Sequence, residues 1–188
     1  RTLLVNPTEE QKKHYEFLLT VQEVILDRLK PGANLADIYQ TAVDMVAKYD
    51  RKLVDKFTRN CGFIMGIEFR ESSLQIAPKS MAIVKRGMVF NVSLGLANLE
   101  NREAPDEQSK IYALFIGDTV LVKDDKQPAT ILTQSKKKLK NIAIIIKDDD
   151  DEEEEEEEQE DKMDDVVKDA LQSRGRRTAV IDTKLRVS

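Results

Sequence analysis

Residues 85–95 read KRGMVFNVSLG and residues 112–122 read YALFIGDTVLV, and the fold turns on what these two stretches become. From Met88 onward the side chains alternate, with Met88, Phe90, Val92 and Leu94 on one side of an extended chain and Val89, Asn91 and Ser93 on the other. Successive side chains of a strand point to opposite faces, so this is the pattern of a strand buried on one side. Lys85, Arg86 and Gly87 supply a turn before it. A polar loop from about Asn98 to Ser109 leads to a second apolar run, Ile111 to Ile116, and Thr119 to Val122 reads as a further strand. Together they predict an antiparallel hairpin.

Upstream the period changes from two to 3.6. Thr8 and Gln11 stand in capping-box spacing, and Tyr15, Leu18, Leu19, Ile25, Leu26 and Leu29 recur on one helical face, which predicts a helix over about 8–29. Lys30, Pro31 and Gly32 end it. Asn34 can cap a second helix, whose buried stripe reads Leu35, Ile38, Ala42, Met45, Val46 and Tyr49. Short apolar runs punctuated by Gly62, Gly66, Gly87, Gly95 and Gly117 follow as strands, with Ala129 to Leu132 a brief extended piece and Ile142 to Ile146 a last strand. The predicted class is α+β, helices packed on a curved, mainly antiparallel sheet.

Downstream the character reverses. Residues 148–161 read DDDDEEEEEEEQED, with carboxylates at Asp148, Asp149, Asp150, Asp151, Glu152, Glu153, Glu154, Glu155, Glu156, Glu157, Glu158, Glu160 and Asp161. No packed core absorbs so many like charges, because each would lose its hydration beside another, so a disordered acidic linker is expected. Residues 148–165 carry −14 against −5 for the whole chain, which leaves residues 1–147 at +5 and residues 166–188 at +4. A polyanion tethered to a mildly basic domain is the arrangement of something that competes with nucleic acid for basic proteins; the bland alternative is a solubilising spacer. Lys136, Lys137, Lys138 and Lys140 form a basic cluster just before it, open to four uses: contact with DNA, pairing with the acidic run, nuclear import or plain solvation.

Composition removes several function classes. One cysteine, Cys61, excludes an internal disulfide and points to a reducing compartment; with one histidine, His14, the usual nitrogen and sulfur metal sites cannot be assembled within this chain. Cys61 has no histidine placed to activate it and reads as a structural thiol, and His14 as a boundary residue. Ser72 and Ser73 lack a base, no glycine-rich phosphate loop appears, and Glu68 and Glu71 have Arg70 at hand as an ordinary partner. The chain lacks Trp and so lacks a dense stacking surface for single-stranded nucleic acid. No run of membrane length is present and no cofactor is expected. The opening Arg1, Thr2, Leu3, Leu4 and Val5 reads as the end of a connection from upstream, so a fragment of a longer protein is expected.

Two helices joined by "KPG", then GFIMGIEFRE at 62–71, KRGMVFNVSLG at 85–95, YALFIGDTVLV at 112–122 and PATILT at 128–133, make a succession that resembles the C-terminal, catalytic half of the creatinase and aminopeptidase (pita-bread) family. The active members, among them methionine aminopeptidases and proline dipeptidases, use two metal ions to activate water for peptide hydrolysis. Carried over by motif, the resemblance puts Phe63 and Arg70 where those enzymes have histidines, and Ser93 and Gly117 where they have glutamates. Two further aspartate ligands have no matching pair here. The frame is retained in Gly66, Glu68, Glu71, Gly87, Met88, Phe90, Gly95, Asp118, Thr119, Val120 and Val122. The resemblance therefore implies a peptidase fold without catalysis and without metal.

A metal-free domain of this kind leading through basic residues and a long acidic run into SRGRRTAVIDTKLR at 173–186 resembles the family of large subunits of FACT histone chaperones. That resemblance implies an aminopeptidase-like half domain at 1–147, an acidic linker at 148–172 and, at 173–188, the start of a dimerisation domain that pairs with a smaller HMG-box subunit. It further implies a nuclear chromatin protein that binds histones in both their pairings, the H2B-containing dimer and the H3–H4 tetramer. Such a protein touches nucleosomal DNA indirectly and reorganises nucleosomes without ATP in transcription, replication and repair. The old peptide cleft, with Phe63, Arg70, Ser93 and Gly117, becomes a histone- or peptide-binding candidate, and filling of that cleft by its own side chains is the alternative. Other classes left open are an active metallo-aminopeptidase or proline dipeptidase, and a ribosome-associated RNA-binding relative.

Overall fold

The computed structural model describes residues 1–67, 73–124 and 127–146. Glu68, Arg70, Glu71, Ser72, the acidic run at 148–161 and the expected dimerisation segment at 173–188 lie outside the described residues. Arg1–Ile144 forms one compact unit; of the second, Ile145–Ser188, only Ile145 and Ile146 are described, and both are exposed.

The first helix, α1 (Glu9–Arg28), begins as its sequence dictates: the Thr8 side chain accepts from the backbone N–H of Gln11, and the Gln11 side chain accepts from the N–H of Thr8. Two orphan donors are satisfied at once, and Glu9 and Glu10 add negative charge at the positive end of the helix dipole. The second helix, α2 (Leu35–Tyr49), is capped by Asn34, which accepts from the N–H of Ala36. Between them Gly32 adopts φ +89°, a left-handed turn that glycine makes without strain. Leu35, Ile38, Ala42 and Val46 are buried as expected, but Tyr49 departs from the predicted stripe. It is 47% exposed and stacks on Phe17 of α1 with ring centroids 4.0 Å apart, because the last turn of α2 has run past the core. A 3-10 turn, Arg51–Lys56, follows.

The strands are β1 (Leu4–Val5), β2 (Gly62–Met65), β3 (Val89–Glu100), β4 (Ile111–Leu121), β5 (Thr130–Ile131) and β6 (Ala143–Ile144). Strands β2 to β5 form one antiparallel sheet in sequence order, and β1 pairs with β6 in parallel. The expected hairpin is β3–β4, in register from Val89 opposite Leu121 to Leu96 opposite Leu114. Two expectations are corrected. Ile111–Ile116 and Thr119–Val122 are one strand: Gly117 and Asp118 stay extended because both flanks keep the same alternation and pair with β3 throughout. Of Ile142–Ile146 only Ala143 and Ile144 pair, since their partner β1 offers just two residues. The opening apolar stretch is part of the fold, with Leu4 in the core and its N–H donated to the Ile142 carbonyl.

Even-numbered residues Phe90, Val92, Leu94 and Leu96 of β3 and Leu114, Ile116 and Val120 of β4 are buried, and α1 lies against both strands. With Tyr15, Leu18, Val21, Ile25 and Leu35 they make one core, in which each fully buried large side chain contributes about 1.5–3 kcal/mol. The odd-numbered residues lie on the opposite face of the sheet.

Candidate functional site

Alternation and register place that face residue by residue. Phe63 on β2 pairs with Asn91 on β3, which pairs with Thr119 on β4; one step along, Ser93 faces Gly117, and beyond it Gly95 faces Phe115. All share the sheet face turned from the helices, with the rows about 7 Å apart. The structure therefore brings together Phe63, Ser93 and Gly117, three of the four positions expected from sequence. The fourth, Arg70, lies outside the described residues.

The chemistry of the three is plain. Phe63 offers an aromatic ring, Ser93 a hydroxyl, and Gly117 no side chain. A pair of hard divalent cations asks for carboxylates and imidazoles on these rows, and this donor set does not fit them. Among the described residues no group of three His, Cys, Asp or Glu is placed to hold a metal ion. Asp118, the acid next to Gly117, points the other way. Its buried carboxylate takes a salt bridge from Arg1 and another from Lys137 at 3.0 Å, and Lys137 also donates to the Gln22 side chain on α1. Asp118 thus ties β4 to the start of the chain and to α1, and is unavailable to the odd-numbered face.

Phe115 is the site residue that the sequence reading did not single out. Its ring, 48% exposed, reaches along the face from Gly95 to Gly117: Cδ2 stands 3.3 Å from where a Cβ on Gly95 would be, and Cε1 3.5 Å from one on Gly117. The signal was present in FIG at 115–117, an aromatic two residues from a glycine on the same face. The ring covers the face between Gly95 and Gly117.

The edges of the sheet beside this face are occupied. Thr2 donates its N–H to the Phe115 carbonyl and accepts from the Phe115 N–H through Oγ1; the Thr119 N–H goes to Thr133 Oγ1, and the Leu132 N–H to the Thr119 carbonyl. On the other side Ile64 donates to Leu74, and Ile76 to Gly62. At these rows the edge backbone groups are already paired, so they are not free to take an added strand.

Cys61 and His14 are held in structural contacts. Burial pushes the Cys61 thiol up to about 12, against a smaller opposing hydrogen bond with Thr58, so it carries no thiolate at neutral pH. The half-buried His14 shares a 3.0 Å hydrogen bond with the Tyr112 hydroxyl; burial lowers its pKa, and Glu10 and Asp50 oppose that shift.

Comparison with known proteins adds lineage to this geometry. Residues 1–124 match the model of metallopeptidase family M24. The FACT complex subunit SPT16 of Oryza sativa subsp. japonica is 44% identical over 144 residues, which is 76% of this chain and 13% of that relative. The chain thus spans about an eighth of the length of this curated relative. The N-terminal domain of FACT complex subunit SPT16 from Cicer arietinum superposes with TM-score 0.69 at 38% identity, covering 76% of this chain and 33% of that one. The prolidase of Pyrococcus furiosus superposes with TM-score 0.57 at 26% identity, covering 70% and 34%. Fold, register and family match agree: the chain belongs to metallopeptidase family M24.

Proposed function

We propose that this chain is the C-terminal half of an aminopeptidase-like domain that serves a histone chaperone as a binding scaffold, without catalysis. In this reading residues 1–147 are the folded half domain, 148–172 an acidic linker and 173–188 the start of a dimerisation domain for an HMG-box partner. The assembly binds both the H2B-containing histone dimer and the H3–H4 tetramer in nuclear chromatin, meets nucleosomal DNA through them, and reorganises nucleosomes without ATP. The observation that carries it is the sequence pattern, three of whose positions share one sheet face: a family frame is kept while Phe63, Ser93 and Gly117, and in the sequence Arg70, stand where the resemblance asks for metal-binding side chains. The similarity to FACT complex subunit SPT16 supports the same reading.

The division of labour follows from range. Coulomb attraction between the 13 carboxylates of residues 148–161 and basic histone surfaces reaches about a Debye length and raises encounter rate more than it fixes geometry. Short-range selectivity falls to the odd-numbered sheet face, where Phe63 and Phe115 offer aromatic surface and Asn91, Ser93 and Thr119 offer polar contacts to a peptide lying across the rows.

Capture of the purified histone dimer and tetramer by the immobilised chain, compared with ribosomal RNA and free DNA across a salt series, tests it. Histone capture that weakens with salt and exceeds nucleic-acid binding is the expected result. Preference for RNA would move the chain to an RNA-binding role, and tight manganese or cobalt binding with turnover of prolyl peptides would restore a peptidase.

A further inference from the structure

Away from the sheet face, a cavity of about 460 Å³ opens between α1 and residues 135–141, lined by Leu19, Glu23 and the side chains of Lys136, Lys138 and Lys140 among others. We propose that it is a docking site for an acidic peptide of a partner protein, one that carries a large apolar side chain among its carboxylates.

The wall is firmly held. Tyr15 of α1 donates to the Lys137 carbonyl at 3.0 Å, Lys137 turns inward to Asp118 and Gln22, and Leu139 packs against the core. Lys137 and Leu139 are half-buried, while Lys136, Lys138 and Lys140 are exposed. None of the three has an ion-pair partner among the described residues. The cluster noted in the sequence is therefore one lysine held by Asp118 and three exposed lysines, all four lining the cavity.

Charge and polarity together select the occupant. Leu19 and the methylene stems of the lysines make an apolar hollow whose rim is cationic, which matches a segment with one apolar anchor and flanking carboxylates. A nucleic acid matches less well: phosphates would meet the lysines, but the cavity has no aromatic on which to stack a base, and Glu23 repels the backbone. In the acidic residues 148–165 of this chain the one apolar side chain, Met163, sits beside the cation Lys162, so a segment from elsewhere with an anchor flanked only by carboxylates matches the lysine rim better.

Fluorescence anisotropy on the whole 188-residue chain tests this, with a ten-residue Asp/Glu peptide bearing one central Phe. Replacing that Phe by Gly is expected to weaken binding about tenfold. The triple variant K136E/K138E/K140E is expected to weaken it at least about tenfold, and Glu23→Gln to tighten it about twofold, a gain that misfolding cannot mimic. Equal binding of the Phe and Gly peptides, or no gain from E23Q, would overturn the site. Stronger competition by single-stranded DNA than by the peptide would also overturn it. Binding seen only after residues 148–165 are replaced by Gly and Ser would reassign the occupant to this chain's own acidic run.

Discussion

Ser93 and Gly117 are direct partners across the β3–β4 ladder, close enough that a Cβ on Gly117 would rest 3.4 Å from the Cβ of Ser93. That is ordinary contact, so Gly117 is not required by space, and its φ is not in the left-handed region. Gly95, one row away, differs: a Cβ there would collide with the Leu114 carbonyl oxygen, far inside van der Waals contact. Gly117→Ala should therefore leave stability unchanged or raise it by up to about 1 kcal/mol, since glycine in a strand costs backbone entropy. Gly95→Ala should cost about 2 kcal/mol or more, because the two strands must separate. Urea unfolding of the two variants checks the contrast; equal losses would mean that Gly117 is held by packing and not by a lost function.

Asp118 carries the opposite kind of constraint. Its side chain is fully buried between Arg1 and Lys137, whose own side chains are mostly covered. Asp118→Asn should cost about 3 kcal/mol, the usual penalty for removing one member of a buried ion cluster and leaving the cations uncompensated. Lys137→Met should cost less, about 1–2 kcal/mol, since Arg1 still balances the carboxylate. Thermal melts in low and high salt measure both. A D118N variant as stable as the parent would show that the cluster adds nothing to the fold.

The α1 cap, the KPG break and the β3–β4 hairpin were legible because each is local: Thr8 and Gln11 name their own partners, and period 2 or 3.6 is written in adjacent residues. Tyr49 was misread because a stripe does not record where the core beneath it ends. β1 was missed because two residues have no period, and Leu4 is placed by Ile142 and Ala143, far away in sequence. The site was legible in part. Phe63, Ser93 and Gly117 follow from motif and alternation, whereas the reach of Phe115 across Gly95 and Gly117 depends on cross-strand register, which the sequence does not print. The inward turn of Lys137 needed Asp118, 19 residues away, to be seen buried.

His14 makes stability depend on pH. Burial lowers its pKa below the ordinary 6.5, so the unfolded chain takes up the proton more readily than the folded one. The stability tied to neutral His14 is complete above that ordinary value and is lost as pH falls through it toward the folded value. Glu10 and Asp50 reduce the loss, and the Tyr112 hydroxyl is the partner disturbed. Between about pH 7.5 and 5.5, a window that brackets the ordinary histidine value, the parent's urea midpoint should fall further than that of His14→Gln. Parallel decline of both would assign the slope to other groups.

Cys61 offers a direct readout of the packed state. Its side chain is buried in the core beside β2, its own N–H is donated to the Ile76 carbonyl, and burial raises the thiol to about 12. With such a value only about one molecule in ten thousand carries a thiolate at pH 8, and the reagent must also reach a covered sulfur. Labelling by an aromatic disulfide at pH 8 should therefore track opening of the fold, slow in buffer and immediate in denaturant, with a rate that rises in Gly95→Ala and not in Gly117→Ala. Prompt labelling of the native parent would contradict the burial of Cys61 and with it the packing of β2 onto β3.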